Sequence, residues 1–236
     1  MTSRRLAVIG ASGDVGSGIV RSAVRRGWDV TAVGRTAARL DELLAEHGPA
    51  VRPLVGSVAD DEGGAALAAE LGAVDAVVVT VSAPFELRPI LEWSPSDLGD
   101  LLEANVGAHL VAARHLLPVV RAGGDFLGIG GGMADLVIPT FVPLSIVQSA
   151  QRQLYRGLVR EAGRQPVVRI RELLVSAMVN GPSSRERAQP DWITEDEIGE
   201  HVADLLDVPR PQETASAAGR PEPVLTLTSP RAAQRA

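Results

Sequence analysis

Leu6-Ala7-Val8-Ile9, followed by Gly10-Ala11-Ser12-Gly13-Asp14-Val15-Gly16, is the stretch whose reading decides the fold. Four apolar residues without period-two alternation make a strand covered on both faces, the habit of a parallel sheet. Gly10 permits a tight turn, and a helix opens near Asp14, runs to Arg26 and stops at Gly27. A strand, a glycine turn and a helix in that order bring main-chain N–H groups and the positive helix end to one place, where a phosphate is held. Glycines at 10, 13, 16 and 18 are costly in backbone entropy unless something must approach closely.

Outward from this turn the chain keeps alternating. Further strands are expected at 30–33, 51–55, 76–81, 126–129, 167–175 and 224–227. Helices are expected at 36–47 (Thr36 as N-cap), around 61–71, at 96–120 as one long helix, at 143–162 and at 195–206. Seven strands alternating with helices dictate an α/β architecture: a doubly wound, mostly parallel sheet with right-handed crossovers and a ligand at the carboxyl ends of the strands. The length, 236 residues with 45% hydrophobic, suits a single domain over 1–236; the stretch 209–223 reads as a long loop and 229–236 as a loose polar tail.

Twenty-three basic against 29 acidic residues leave a net charge of −6, which disfavours a nucleic-acid partner. Cysteine is absent, so disulfides and thiolate metal sites are excluded, and four unclustered histidines suggest no metal. No apolar run reaches the roughly 18 residues of a membrane span, and residues 1–5 do not start a secretory signal. A cytoplasmic protein is expected, and the preference for Arg, Ala, Gly and Val suggests a bacterial source.

With these pieces in order, the chain resembles the short-chain dehydrogenase/reductase family, with its Rossmann-type nucleotide-binding fold. The likeness rests on Val8-Ile9-Gly10-Ala11-Ser12, Val33-Gly34-Arg35, Val74-Asp75-Ala76-Val77-Val78, Asn105-Val106-Gly107, Leu117-Pro118, Gly123-Gly124-Asp125-Phe126 and Arg160-Glu161. It implies a nicotinamide dinucleotide lying along Gly10, Ser12, Gly13, Asp14, Val15 and Gly16, with Ser57-Val58 near the adenine and Thr80-Val81-Ser82 after the fourth strand. NAD-selective sites carry a carboxylate at the end of the second strand. Here that strand ends on Arg35, and a guanidinium suits a phosphate, so NADP(H) is favoured over NAD(H). Asp14 opposes phosphate charge, and Ser57 replaces the family's usual Asp.

The resemblance also implies a catalytic Ser, Tyr, Lys and Asn, and only Asn105 is evident. The Ser position reads Gly131, and counting back from Arg160-Glu161 puts Leu144 at the Tyr position and Gln148 at the Lys position. Gln148 can still bond a ribose hydroxyl. Ser145 and Ser149, four apart on one helix face, are the nearest hydroxyls, and Ser145 is a candidate proton donor. Tyr155 falls two turns late, with Val159 in the Lys place after it. His109, one turn beyond Asn105, reads as structural; His115 has no visible partner; Asp135 reads as a solvated loop residue. Trp93 and Trp192 either line or cover the pocket mouth, and residues 183–187 lie where relatives carry a substrate lid. Three functions remain open: an NADP(H)-dependent oxidoreductase on a small, mostly apolar carbonyl or alcohol; a non-redox cyclase or isomerase on this scaffold; or a silent, cofactor-binding regulator. By resemblance a homodimer or homotetramer forms through the 96–120 and 143–162 helices.

Overall fold

The computed structural model describes residues 3–162, 167–208 and 222–230. Its first strand, β1 (Arg5–Ile9), pairs with β2 (Asp29–Gly34) on one side and with β4 (Val74–Val79) on the other. β3 (Val51–Val55) extends the sheet beyond β2. β5 (Val120–Gly131), β6 (Arg169–Ser176) and β9 (Val224–Thr228) extend it beyond β4, giving the order β3-β2-β1-β4-β5-β6-β9 with every pair parallel. The topological switch lies between β1 and β4, so the carboxyl ends of these two strands frame the crevice.

The period of two in β1 sends its side chains to two cores. Leu6 and Val8 join Ile19, Val20, Trp28, Leu40, Ile198 and Val202 beneath α1 (Gly16–Arg25), α2 (Ala37–His47) and α7 (Glu195–Asp207). Ala7 and Ile9 join Leu67, Leu71, Leu116, Phe126 and Tyr155 beneath α3 (Asp61–Leu71), α5 (Ala108–Leu116) and α6 (Val142–Glu161). Both faces of the sheet are therefore covered, which is why its strands read as unbroken apolar runs.

Several expectations need correction. The 96–120 helix is α4 (Pro95–Leu102), a π-helical turn over Glu103–Gly107, then α5, with a 3-10 turn at Leu117–Val119. Thr36 stands at the N-cap of α2 but makes no side-chain capping bond. The helices capped by side chains are α3 (Asp60), α4 (Ser94 with Asp97) and α7 (Thr194 with Glu197), the last two as reciprocal capping boxes. Residues 180–191 read as irregular; flanking them, two short strands, β7 (Val179–Asn180) and β8 (Ile193–Thr194), pair in parallel. Ser229, expected in the tail, is buried, and its hydroxyl donates to the Asp191 carbonyl at 2.8 Å. Most of the 209–223 loop and residues 231–236 lie outside the described residues. Among the described residues no helix is long and apolar enough to cross a membrane, and no His/Cys/Asp/Glu group could hold a metal.

Candidate functional site

The glycine turn is bolted to both neighbouring strands. The N–H groups of Gly10 and Ala11 both donate to the Val33 carbonyl, at 2.9 and 3.0 Å, and Thr80 N–H donates to the Ile9 carbonyl at 2.8 Å. The Thr80 hydroxyl lies 2.9 Å from the Ile9 carbonyl and 3.0 Å from that of Gly10. Gly10 has φ +86°, and a Cβ there would stand 2.6 Å from Thr80 Oγ1, so position 10 admits only glycine. A Cβ on Gly16 would meet the Gly10 carbonyl at 2.2 Å, so α1 starts hard against the turn. Gly13 is different. It is exposed and nothing but the Gly10 carbonyl comes near, leaving the turn open where a phosphate would approach.

Asp14, the misfit in the glycine motif, has a partner 169 residues away. Its carboxylate accepts from Ser183 N–H at 2.7 Å and from the Ser183 hydroxyl. Gly181 lies flat against it, since a Cβ there would come within 2.5 Å of Asp14 Cβ. Ser184 braces the same turn from inside, accepting from Gly181 N–H and donating to the Val179 carbonyl. The segment expected to be a lid is thus clasped to the phosphate turn by a charge-assisted pair of hydrogen bonds.

On the β2 side, Gly34 and Ser12 adjoin: a Cβ on Gly34 would stand 3.6 Å from Ser12 Oγ. Arg35 follows, exposed, with no carboxylate at this end of the strand. Ser57 Oγ accepts from Ala59 N–H at 3.1 Å, while Val58 is buried. The loop after β4 is held from beneath by two residues one helical turn apart. Asn105 Oδ1 accepts from Ala83 N–H at 3.0 Å while its amide donates to the Leu101 carbonyl across the π-helical turn. His109 Nε2 lies 3.2 Å from the Val81 carbonyl and Nδ1 lies 2.9 Å from the Tyr155 hydroxyl. Burial lowers the His109 pKa to about 4, so the ring is neutral at pH 7. Its Nε2–H then donates to Val81, and Tyr155 donates to Nδ1.

The third wall runs along the end of β5, where side chains of α6 and β6 occupy the room left by glycines. A Cβ on Gly128 would lie 2.1 Å from the Tyr155 ring, one on Gly130 would lie 2.7 Å from Glu172 Oε1, and one on Gly131 would lie 2.4 Å from the Gln148 amide. Tyr155 is fully buried, with its pKa raised well above the usual value by burial and then by Glu172. Gln151 donates from Nε2 to Glu172 Oε1 (2.9 Å) and to the Ile129 carbonyl (3.0 Å). Burial raises the Glu172 pKa to about 7, and its second oxygen has no partner. Ser145 donates to the Leu136 carbonyl at 2.7 Å and Ser149 to the Ala134 carbonyl at 2.9 Å, so both hydroxyls pin the loop after β5. Asp135 is paired with Arg152. His115, read as lacking a partner, bonds Asp61 at 2.7 Å. Trp93 carries the Arg88 guanidinium over its ring, 4.5 Å from the centroid.

Three features of this arrangement fit a dinucleotide: the open turn at Gly13, the exposed Arg35 directly after Gly34, and the buried Gln148 Oε1, which has no partner among the described residues. Glu172 and the Asp14–Ser183 clasp went unremarked in the sequence. A single carboxylate inside the run Ile170–Val175 was the available signal for the first; nothing local announces the second.

Comparison with known proteins agrees with this geometry. Residues 10–116 match the NAD(P)H-binding family model. The chain is 27% identical over 175 residues to gluconate 5-dehydrogenase of Gluconobacter oxydans, covering 70% of this chain and 67% of that protein. A Serratia marcescens short-chain dehydrogenase/reductase double mutant shares its fold with a TM-score of 0.80 at 19% identity, over 96% of both chains. So does an alcohol dehydrogenase from Thermococcus sibiricus solved with 5-hydroxy-NADP, with a TM-score of 0.78 at 24% identity over 96% of both chains. Fold, site and family model together define a chain with an NAD(P)H-binding region on the fold of these dehydrogenases. The chain resembles the short-chain dehydrogenase/reductases in sequence and shares their fold over nearly its whole length.

Proposed function

We propose that the chain is an NADP(H)-dependent oxidoreductase acting on a mostly apolar carbonyl or alcohol, with a proton path that bypasses the family's Tyr–Lys pair. The observation that carries the cofactor choice is the exposed Arg35, directly after the Gly34 that adjoins Ser12, at a β2 end without a carboxylate. The Gly13 N–H is spent on the Gly10 carbonyl at 3.0 Å, so the main-chain N–H groups of Val15 and Gly16 take the diphosphate, assisted by the α1 dipole. Ser12 and Arg35 take the ribose 2′-phosphate. Val58 and the Thr80-Val81-Ser82 loop flank the adenosine half, the loop being fixed by Asn105 and His109. Gln148 Oε1 accepts from a ribose hydroxyl. The dinucleotide, when bound, supplies or receives the hydride.

The chain's own residues orient the substrate and exclude water. With Leu144 and Gly131 in the family's Tyr and Ser positions, and Ser145 engaged with Leu136, the proton comes from water or from the substrate itself. Self-association through α5 and α6 suits the exposed Leu110 and Ile146 on these helices and gives a homodimer or homotetramer. The protein works in the cytoplasm on a small-molecule substrate.

Titration of NADPH and NADH by fluorescence, then loss of 340-nm absorbance across a panel of ketones, tests the reading. NADPH should bind at least tenfold tighter than NADH, and Arg35→Ala should remove most of that preference. Tighter NADH binding would reverse the cofactor assignment. Tight NADPH binding with no turnover on any ketone favours instead the silent-regulator reading, to which the engaged Tyr155 and Ser145 hydroxyls lend support.

A further inference from the structure

We infer that the substrate is an uncharged ketone or alcohol with an extended apolar body of six or more carbons, held by the loops that follow β4, β5 and β6. This rests on the oxidoreductase reading and names its substrate class. Half of the exposed large apolar side chains among the described residues belong to these three loops: Leu87 and Leu91, then Leu136, Val137 and Ile138, then Met178. Leu91 is 96% exposed and Val137 78%, levels that a folded chain tolerates singly but rarely in a group. Phe85 and Phe141 meet edge to face, with centroids 5.8 Å apart, and join the first two loops into one rim. Three residues after Phe141, at the start of α6, Leu144 adds a further apolar, half-buried side chain.

Charge narrows the class. Residues 80–94, 132–141 and 177–192 hold three arginines against five acids, so a carboxylate substrate is repelled. Arg88 is bound to Asp97 at 2.8 Å and Arg185 to Glu195 at 2.6 Å, leaving only Arg187. Trp93 contributes an indole N–H that is buried without an acceptor, a neutral donor suited to a carbonyl oxygen. A sugar acid of the kind named for the gluconate-oxidising relative finds no cation set to receive it.

Binding of 2-alkanones from four to ten carbons, measured by calorimetry on protein with and without saturating NADPH, tests the inference. Affinity should rise about fourfold per added methylene across at least three methylenes, as burial of each CH₂ dictates. Val137→Asn and Leu91→Asn should flatten that slope while leaving NADPH affinity unchanged, and gluconate should not bind. A flat chain-length series, or gluconate binding more tightly than octanone, overturns it. Sedimentation decides the rival occupant: a dimer abolished by Val137→Asn, together with a flat series, assigns the rim to a second copy and overturns it too. Failure of NADPH to bind sinks the oxidoreductase reading alone, since the series on unloaded protein still decides this one.

Discussion

Glu172 is a buried carboxyl whose proton is held more tightly in the folded chain than in the unfolded one. Its folded pKa of about 7 stands above the ordinary 4.5, so the folded state binds the extra proton between these values and loses stability as pH rises through the window. Glu172→Gln should therefore gain stability relative to the parent, from no pH-dependent difference at pH 4.5 to roughly 3 kcal/mol at pH 8, read from urea midpoints. His109 works in the opposite sense. Its folded pKa of about 4 lies below the ordinary 6.5, so stability falls as pH drops through that interval. The two partly cancel in the parent chain, and the Glu172→Gln variant should show the His109 dependence uncovered. A parent-minus-variant difference that does not change with pH would remove Glu172 from this account. Asp14 offers a second test. Asp14→Asn removes a negative charge from the phosphate turn while keeping an acceptor for Ser183, so the Kd for NADPH should fall about three- to tenfold at low salt, and less at high salt.

Helices α1 and α7 meet at the level of their main chains. A Cβ on Gly18 would stand 1.9 Å from the Glu195 carbonyl oxygen, and one on Gly199 would stand 2.2 Å from that of Gly18. Around this contact the basic edge of α1 faces the acidic edge of α7: Arg21 with Asp196, Arg25 with Glu200, Arg26 with Asp204 and Asp207. These exposed pairs set the pairing of the helices more than their strength. Gly18→Ala should cost about 2–3 kcal/mol by forcing the helices apart, lowering Tm by roughly 5 °C or more in a thermal melt, whereas Arg25→Ala should cost under about 1 kcal/mol. An unchanged Tm in Gly18→Ala would mean that the helices separate freely. On the other face, the π-helical turn between α4 and α5 places Asn105 between the Leu101 carbonyl and the Ala83 N–H. A continuous α-helix would carry Asn105 to a different angle about the axis.

For the molecule as a whole, the seven-stranded parallel sheet was legible because buried parallel strands announce themselves as apolar runs and the glycine turn marks the strand beside the crevice. What escaped was held together across distance. Asp14 and Ser183 touch only once the loop after β6 folds back, and β7 and β8 are two residues each, too short to show a period. The glycines after Ile129 were read as a missing hydroxyl, but their packing role needs the neighbouring helix to be seen. The same holds at the opposite end of the sheet, where a cleft of about 800 Å³ opens among Arg4, Arg5, Arg121 and Arg169. There Asp125, 1% exposed, receives Arg4 at 3.1 Å, Arg169 at 2.6 Å and Arg171 at 2.9 Å. Asp125→Asn should cost about 3–5 kcal/mol, because three guanidinium groups would share no anion. A loss below 1 kcal/mol by chemical denaturation would show the cluster to be solvated.

Arg4 also donates to the Leu206 carbonyl at 2.6 Å. On the ribosome, Arg4 is made 202 residues ahead of Leu206 and long before Asp125. Strand β1 thus waits for the synthesis of α7 before its end can be fastened, and a nascent chain in which α7 is incomplete carries that fastening open.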